Sequence, residues 1–183
     1  MNLRKTLSVL SFLFLSSCGI ALSQEGDFFG IPLSSDTAPV MAKTNSDFQT
    51  ISPGEVWQLG GGKEKKGPLQ YYWVDGNQGK GKMRLHFGNL SRLKGRMKEC
   101  FLVLHVANTR NSGSTGGIWV RTYGSSKKIG LHRGAPKGKE VKISLEIPST
   151  ESLNPLVIEV VTGSGNGMRF LGKGAKAPYL EVR

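Results

Sequence analysis

The chain has 183 residues and a formal net charge of +12, with 25 lysines and arginines against 13 acidic residues. Once an N-terminal export signal is set aside, about 160 residues remain, which argues for one domain with a normal core and against a multidomain protein. Glycine is frequent, at 25 residues, and this favours short strands joined by turns over long helices.

The N-terminal segment has the pattern of a bacterial export signal. Arg4 and Lys5 precede an apolar run over Leu7–Leu15, and this run is too short for a transmembrane helix, which takes roughly 20 residues. The tetrapeptide that ends at Cys18, Leu-Ser-Ser-Cys, has the form of a lipobox. We therefore expect a signal peptide over residues 1–17 and an exported lipoprotein, anchored in the membrane of the cell envelope through lipid on Cys18.

A second cleavage site leaves an alternative open. The tripeptide Ala21–Ser23 fits ordinary signal peptidase, and a signal over residues 1–23 would give a soluble periplasmic or secreted protein. The stretch that follows either cut contains prolines and scattered charges and shows little periodicity. This pattern predicts a flexible linker over residues 18–50 and a folded domain over residues 51–183.

Charge is distributed unevenly along the chain. Residues 24–75 hold four lysines and seven acidic residues, whereas residues 76–183 hold nineteen lysines and arginines and six glutamates. A basic domain outside the cytoplasm points to an anionic polysaccharide or another acidic envelope polymer as its partner, and no nucleic acid is expected. The alternative is that the positive charge serves solubility alone.

Short apolar runs with a period of two indicate nine strands and no amphipathic helix. One short helical turn is predicted at residues 90–94. The fold class that this pattern favours is all-β, a single jelly-roll-like β-sandwich after the signal peptide and linker. The nine predicted strands cover residues 55–59, 69–74, 82–87, 99–107, 117–123, 141–147, 156–161, 168–171 and 179–182.

Two of these strands suggest a binding surface. Trp119, Arg121 and Tyr123 share one face of their strand, because side chains alternate along it. Two aromatic rings beside a guanidinium suit a sugar that carries acidic groups, although this face of the strand could equally be the one that packs in the core. The predicted ligand-binding patch comprises Arg84, His86, Trp119, Arg121, Tyr123, Lys127 and Lys128.

Signatures of catalysis and of metal binding are weak. Residues 76–83 resemble a P-loop, but Met83 stands where a Ser or Thr would hold magnesium, and the segment leads into a strand. It is better explained as a lysine-rich turn. His86 and His105 would form a surface metal pair only if their strands were neighbours, and their spacing matches no metal motif. We therefore predict no catalytic residues, no metal and no cofactor.

The glutamates and Cys100 also carry no signature of catalysis in the sequence. A glycosidase needs two carboxylates that flank one bond, and nothing in the sequence marks Glu99, Glu146 or Glu159 for that role. Cys100 lies in an apolar run and has no second cysteine in the mature chain except Cys18. We expect its thiol to be unpaired and buried as a small apolar group.

Residues 82–104 resemble a stretch of exported carbohydrate-binding modules of the DNRLRE class. The segments Arg169–Leu171 and Ala177–Val182 look like the closing pair of strands of that family, and the resemblance covers about residues 55–183. The name-giving stretch itself does not occur here. The resemblance implies a jelly-roll β-sandwich and a non-catalytic module, some relatives of which bind acidic polysaccharides such as alginate.

Three hypotheses for the function follow. The first is an exported, lipid-anchored, non-catalytic module that binds anionic polysaccharide. The second is a structural or interaction protein of the envelope without a glycan ligand, in which Trp119 and Tyr123 belong to the core. The third and weakest is a diverged hydrolase or lyase, which would require a cleft with two close carboxylates.

Overall fold

A computed structural model describes residues 47–77, 81–149 and 151–183. The predicted signal peptide, the lipidation of Cys18 and most of the predicted linker lie outside these residues. Within them, no helix is long and apolar enough to cross a membrane. Two short 3-10 helices lie wholly within the described ranges, Ser91–Leu93 and Gly174–Lys176, and the first coincides with the predicted helical turn.

Twelve strands run through the described part of the chain. Nine of them overlap the nine predicted strands. Their bounds are β1 Gln49–Ile51, β2 Glu55–Gly60, β3 Lys63–Lys66, β4 Tyr71–Val74, β5 Lys82–Phe87, β6 Cys100–His105, β7 Ser114–Thr122, β8 Lys128–Ala135, β9 Glu140–Ser144, β10 Leu156–Thr162, β11 Met168–Leu171 and β12 Tyr179–Val182.

The strands form two main antiparallel sheets, which confirms the predicted single all-β sandwich. One sheet has six strands in the order β3-β2-β5-β10-β7-β8, and the other has four in the order β1-β12-β6-β9. A ribbon of β4 and β11 completes the fold. Single bridges join this ribbon to both sheets, from Asp75 to Gly81 at the start of β5 and from Phe170 to Val106 after β6.

The core lies between the sheets and is built from alternating side chains. In β5 the predicted alternation is confirmed, since Met83, Leu85 and Phe87 are fully buried while Arg84 and His86 are only partly buried. Each such apolar side chain contributes about 1.5–3 kcal/mol through burial. The other large side chains that are fully buried are Tyr72, Leu102, Leu104, Ile118, Ile143, Leu156, Ile158, Met168 and Phe170.

Three strands were not predicted, and each lacks the alternating pattern. Strand β3 reads Lys-Glu-Lys-Lys and is exposed throughout, as suits a sheet edge whose charges oppose pairing with another chain. Strand β1 has three residues and pairs with β12 across the boundary between the predicted linker and domain. Strand β8 contains a bulge, which disrupts its period.

The bulge in β8 has a consequence for the surface. Val120 pairs with Gly130 and Arg121 pairs with Lys128, so Ile129 is the extra residue and turns into the core. Without the bulge, Leu131 would follow Ile129 onto the inner face. Instead Leu131 lies opposite Trp119 on the solvent side and is 59% exposed.

Cys100 is buried in the core, at 4% exposure, and is a free thiol. Burial raises the pKa of this thiol to about 12. A thiol with such a pKa remains protonated at neutral pH and is a poor nucleophile. The structure therefore places Cys100 where the sequence predicted it.

Candidate functional site

The solvent-facing side of the six-stranded sheet carries the residues that the sequence singled out, and we call it the outer face. The strand register aligns one residue from each of the six strands in a row across it. From β3 to β8 this row reads Lys66, Trp57, Arg84, Glu159, Arg121 and Lys128.

Glu159 lies at the centre of the row and is held by two arginines. Its side chain is only 5% exposed. Arg84 donates hydrogen bonds from Nε and Nη2 to Oε1, at 3.2 and 3.1 Å. Arg121 donates from Nε and Nη2 to Oε2, at 3.1 and 2.8 Å. Each carboxylate oxygen thus accepts two hydrogen bonds from one edge of one guanidinium. We call Glu159, Arg84 and Arg121 the Glu159 triad.

The triad keeps a net positive charge. Burial opposes ionisation of Glu159, but the hydrogen bonds from Arg121 and Arg84 outweigh it and hold the pKa of the carboxyl below its ordinary value. One carboxylate therefore faces two guanidiniums, which remain charged at any ordinary pH. A guanidinium has five N–H donors, so each arginine has donors beyond the two that Glu159 uses. Near the Nη1 edge of Arg84 lies Glu64 Oε1, at 3.9 Å, too far for a hydrogen bond.

Two aromatic rings lie beside the triad, each paired with a cation. The Arg84 guanidinium carbon is 4.1 Å from the centroid of the Tyr123 ring, and Lys128 Nζ is 4.3 Å from the centroid of the Trp119 ring. Tyr123 is 56% exposed and Trp119 is partly exposed. Of the two readings that the sequence left open, the structure therefore places these rings on the surface, and the inward residues of β7 are Ile118, Val120 and Thr122.

A second aromatic group lies at the other side of the triad, on β2 and β5. Trp57 donates from Nε1 to Glu55 at 3.1 Å, and Lys66, which also pairs with Glu55, lies 5.6 Å from the Trp57 ring centroid. The Trp57 and His86 rings are 6.5 Å apart. Burial lowers the pKa of His86, and Arg84 and Lys66 lower it further against the opposing effect of Glu55. His86 therefore contributes a neutral ring at neutral pH.

The predicted patch is largely brought together by the fold. Six of its seven residues belong to the outer face, and Lys127 is exposed in the turn that leads into β8. Glu159 and Trp57 are not among the predicted binding residues. A signal for each was present: a lone charge in the apolar run of β10 requires a buried partner, and Trp57 alternates with the inward Val56.

The histidines and two of the glutamates that the sequence offered for other chemistry have different partners in the described residues. His86 and His105 lie on different sheets, so they do not form the metal pair considered above; His105 Nε2 instead lies 3.3 Å from Glu140. No group of three or more potential metal ligands occurs in residues 47–77, 81–149 and 151–183. Glu99 pairs with Arg183, and Glu159 is committed to the triad.

The triad gives the stability of the fold a pH dependence. Because the pKa of Glu159 in the folded state lies below its ordinary value of 4.5, the ion pair stabilises the fold fully above that value and is lost as pH falls through the folded-state pKa. We expect the free energy of unfolding to fall more steeply below pH ~4 in the wild type than in Glu159→Gln. Urea denaturation across this range measures it, and parallel curves would contradict the assignment.

Comparison with known proteins assigns no function. No protein-family model matches the chain, and no characterised protein sequence matches it. A solved structure of an exo-β-1,3-galactanase from Phanerochaete chrysosporium with β-1,3-galactotriose is similar over 75% of this chain, with a TM-score of 0.39 and 13% sequence identity. The similar region is 30% of that enzyme's chain, so this chain spans less than a third of its length.

Proposed function

We propose that this protein is a non-catalytic module that binds anionic polysaccharide on the outer face of its six-stranded sheet. The observation that carries the proposal is the Glu159 triad beside the exposed Tyr123 ring and the partly exposed Trp119 ring. Glu159 fixes two guanidiniums in place and neutralises only one of them. The resemblance to exported carbohydrate-binding modules of the DNRLRE class supports the same function.

The chemistry of the triad matches a carboxylated or sulfated sugar. An arginine forms its strongest contacts as paired N–H donors to two oxygens of one oxyanion, and the donors that Glu159 leaves free can meet such a group. Tyr123 and Trp119 offer apolar ring surface to the C–H side of a sugar. Because both guanidiniums are already ordered, binding does not have to fix these long side chains, which lowers its entropic cost.

The test is retardation of the purified protein in native gels that contain a polysaccharide. Alginate and a sulfated polysaccharide should retard it, and added salt should weaken the effect because exposed charges are screened. A neutral glucan of similar length is the control. Unchanged mobility in every acidic gel would overturn the proposal.

A second candidate is an envelope protein that binds another protein through the same face. It is favoured by Leu131, which is 59% exposed and lies opposite Trp119, because an apolar side chain beside exposed aromatic rings is common in protein interfaces. Failure of all acidic polysaccharides, together with a stable complex that Leu131→Glu abolishes, would support this candidate in place of the first.

We also propose that the chain is exported and lipid-anchored through Cys18. A modification of this kind holds the binding face at the envelope. Metabolic labelling with a radioactive fatty acid should mark the wild-type chain and leave Cys18→Ser unmarked. Equal labelling of both chains, or a mature N-terminus at Gln24, would contradict the anchor and leave the proposed ligand unaffected.

A further inference from the structure

A shallow cleft of about 760 Å³, widely open to solvent, lies where β7 begins and β8 ends. This volume falls within the range of about 300–1,000 Å³ that is typical of ligand sites. A smaller cleft of about 440 Å³ adjoins it and shares Asn111, Gly113 and Asn166. Much of its lining surface is apolar, and the polar and basic residues on it include Asn111, Ser114, Thr115, Arg133, Lys137 and Asn166.

The lining chemistry suits a hydroxylated acid. The amides of Asn111 and Asn166 each offer both donors and acceptors, as sugar hydroxyls require. Arg133 and Lys137 supply two positive charges, and the residues that line this cleft include no Asp or Glu. Neither cation takes part in an ion pair with a described residue.

The walls of the cleft are fixed by hydrogen bonds and close packing. Ser164 Oγ lies 3.3 Å from Ser114 Oγ and accepts from the backbone N–H of Asn166 at 3.2 Å, so the loop that carries Asn166 is tied to β7. On the other side of the cleft, the backbone of Gly113 packs closely against the backbone of Lys137. Only glycine allows this, because a Cβ at position 113 would stand 2.8 Å from the backbone nitrogen of Lys137. The site is therefore formed before any ligand arrives.

The cleft is continuous with the outer face through Arg133. Arg133 lines the cleft and pairs with Gly117, two residues before Trp119 on the same side of β7. Gly117 leaves this stretch of the strand without a side chain, and a Cβ there would lie 3.7 Å from Trp119 and 3.8 Å from Leu131. Strand β7 has nine residues, so at about 3.3 Å per residue it spans roughly 26 Å.

We propose that the cleft is a second subsite for the same anionic glycan, so that an extended chain lies along β7 and β8. Acidic groups at one end of the bound segment meet Arg133 and Lys137, and those at the other end meet Arg84 and Arg121. The ligand is then an oligomer of several sugar units rather than a single sugar. This inference rests on the proposed function and adds to it the direction and length of the bound chain.

Titration calorimetry of the full-length chain with alginate oligosaccharides, from disaccharide to octasaccharide, tests the proposal. Affinity should rise with length, because only a long chain reaches both subsites. The double variant Arg133→Ala/Lys137→Ala should bind the octasaccharide about tenfold more weakly, as expected for the loss of charge-assisted hydrogen bonds. Its affinity for the disaccharide should change by less than twofold.

The double variant Arg92→Ala/Lys94→Ala is the matched control. It removes the same charge from an exposed segment around the first 3-10 helix, which lines neither the cleft nor the outer face. Equal weakening by both double variants, or affinity that does not depend on length, would overturn the second subsite. If the wild type binds no acidic oligosaccharide at all, the proposed function itself fails. Thermal unfolding curves that superimpose show that neither variant disturbs the fold.

Discussion

Glu159→Gln is expected to lower the free energy of unfolding by about 3 kcal/mol, a typical cost of removing one partner from a buried ion pair. The substitution keeps the shape of the side chain and leaves Arg84 and Arg121, at 16% and 28% side-chain exposure, facing each other without the carboxylate between them. Glu64, 3.9 Å from Arg84 and 55% exposed, is a weaker counter-charge. For a domain of this size, such a loss corresponds to a fall in Tm of about 10 °C. Urea denaturation at neutral pH measures the change directly.

Glu99→Gln provides the matched control. It removes an ion pair of similar length, 2.8 Å to Arg183, in which both side chains are more than 40% exposed. Solvent-exposed pairs contribute about 0–1 kcal/mol, so this variant should unfold close to the wild type. A loss of stability in Glu159→Gln no larger than in Glu99→Gln would show that the triad is not the organising element of the outer face.

The double variant Trp119→Ala/Tyr123→Ala is expected to weaken binding of an acidic polysaccharide by about 100-fold. Truncation of an aromatic side chain at the centre of a binding surface often costs about 1.4 kcal/mol or more, which is tenfold or more in affinity. Removing Tyr123 also deprives the Arg84 guanidinium of the ring against which it lies. Stability should change less than in a core variant, because neither ring is buried.

Phe48→Ala is the control for this variant. Phe48 packs against Phe101 and lies 5.0 Å from both Lys142 and Arg183, so it forms the same kind of cation–aromatic contact on the four-stranded sheet. Affinity electrophoresis of both variants in alginate gels, beside the wild type, separates the two surfaces. If binding persists in the double variant but weakens in Phe48→Ala, the ligand binds the four-stranded sheet and not the outer face.

The sequence predicts most of the fold because half-buried strands alternate visibly. In β5 and β9 the inward residues are apolar and the outward ones polar, so these strands and their faces follow from a period of two. Strand β8 could not be predicted from a period of two, because Ile129 and Leu131 are two residues apart yet lie on opposite sides of the sheet. A bulge depends on how β8 pairs with its neighbouring strand, and the local sequence pattern does not show how two strands pair.

The site was predictable only in part for the same reason. Trp119 and Arg121 lie in β7 and Tyr123 directly follows it, so their shared face could be inferred from alternation alone. The Glu159 triad joins β5, β7 and β10 across 38 and 75 residues of chain. A lone glutamate in an apolar strand signals that some partner exists, but only the register of three strands identifies the two arginines.

The central claim is that the outer face of the six-stranded sheet binds an anionic glycan. Backbone amide chemical shifts in the isotope-labelled protein, followed during titration with an alginate octasaccharide, test it most directly. The account predicts changes concentrated in β5, β7, β8 and β10, including the side-chain signals of Trp119 and the two arginines of the triad. Changes confined to β6, β9 and β12, or no change at saturating octasaccharide, would contradict it.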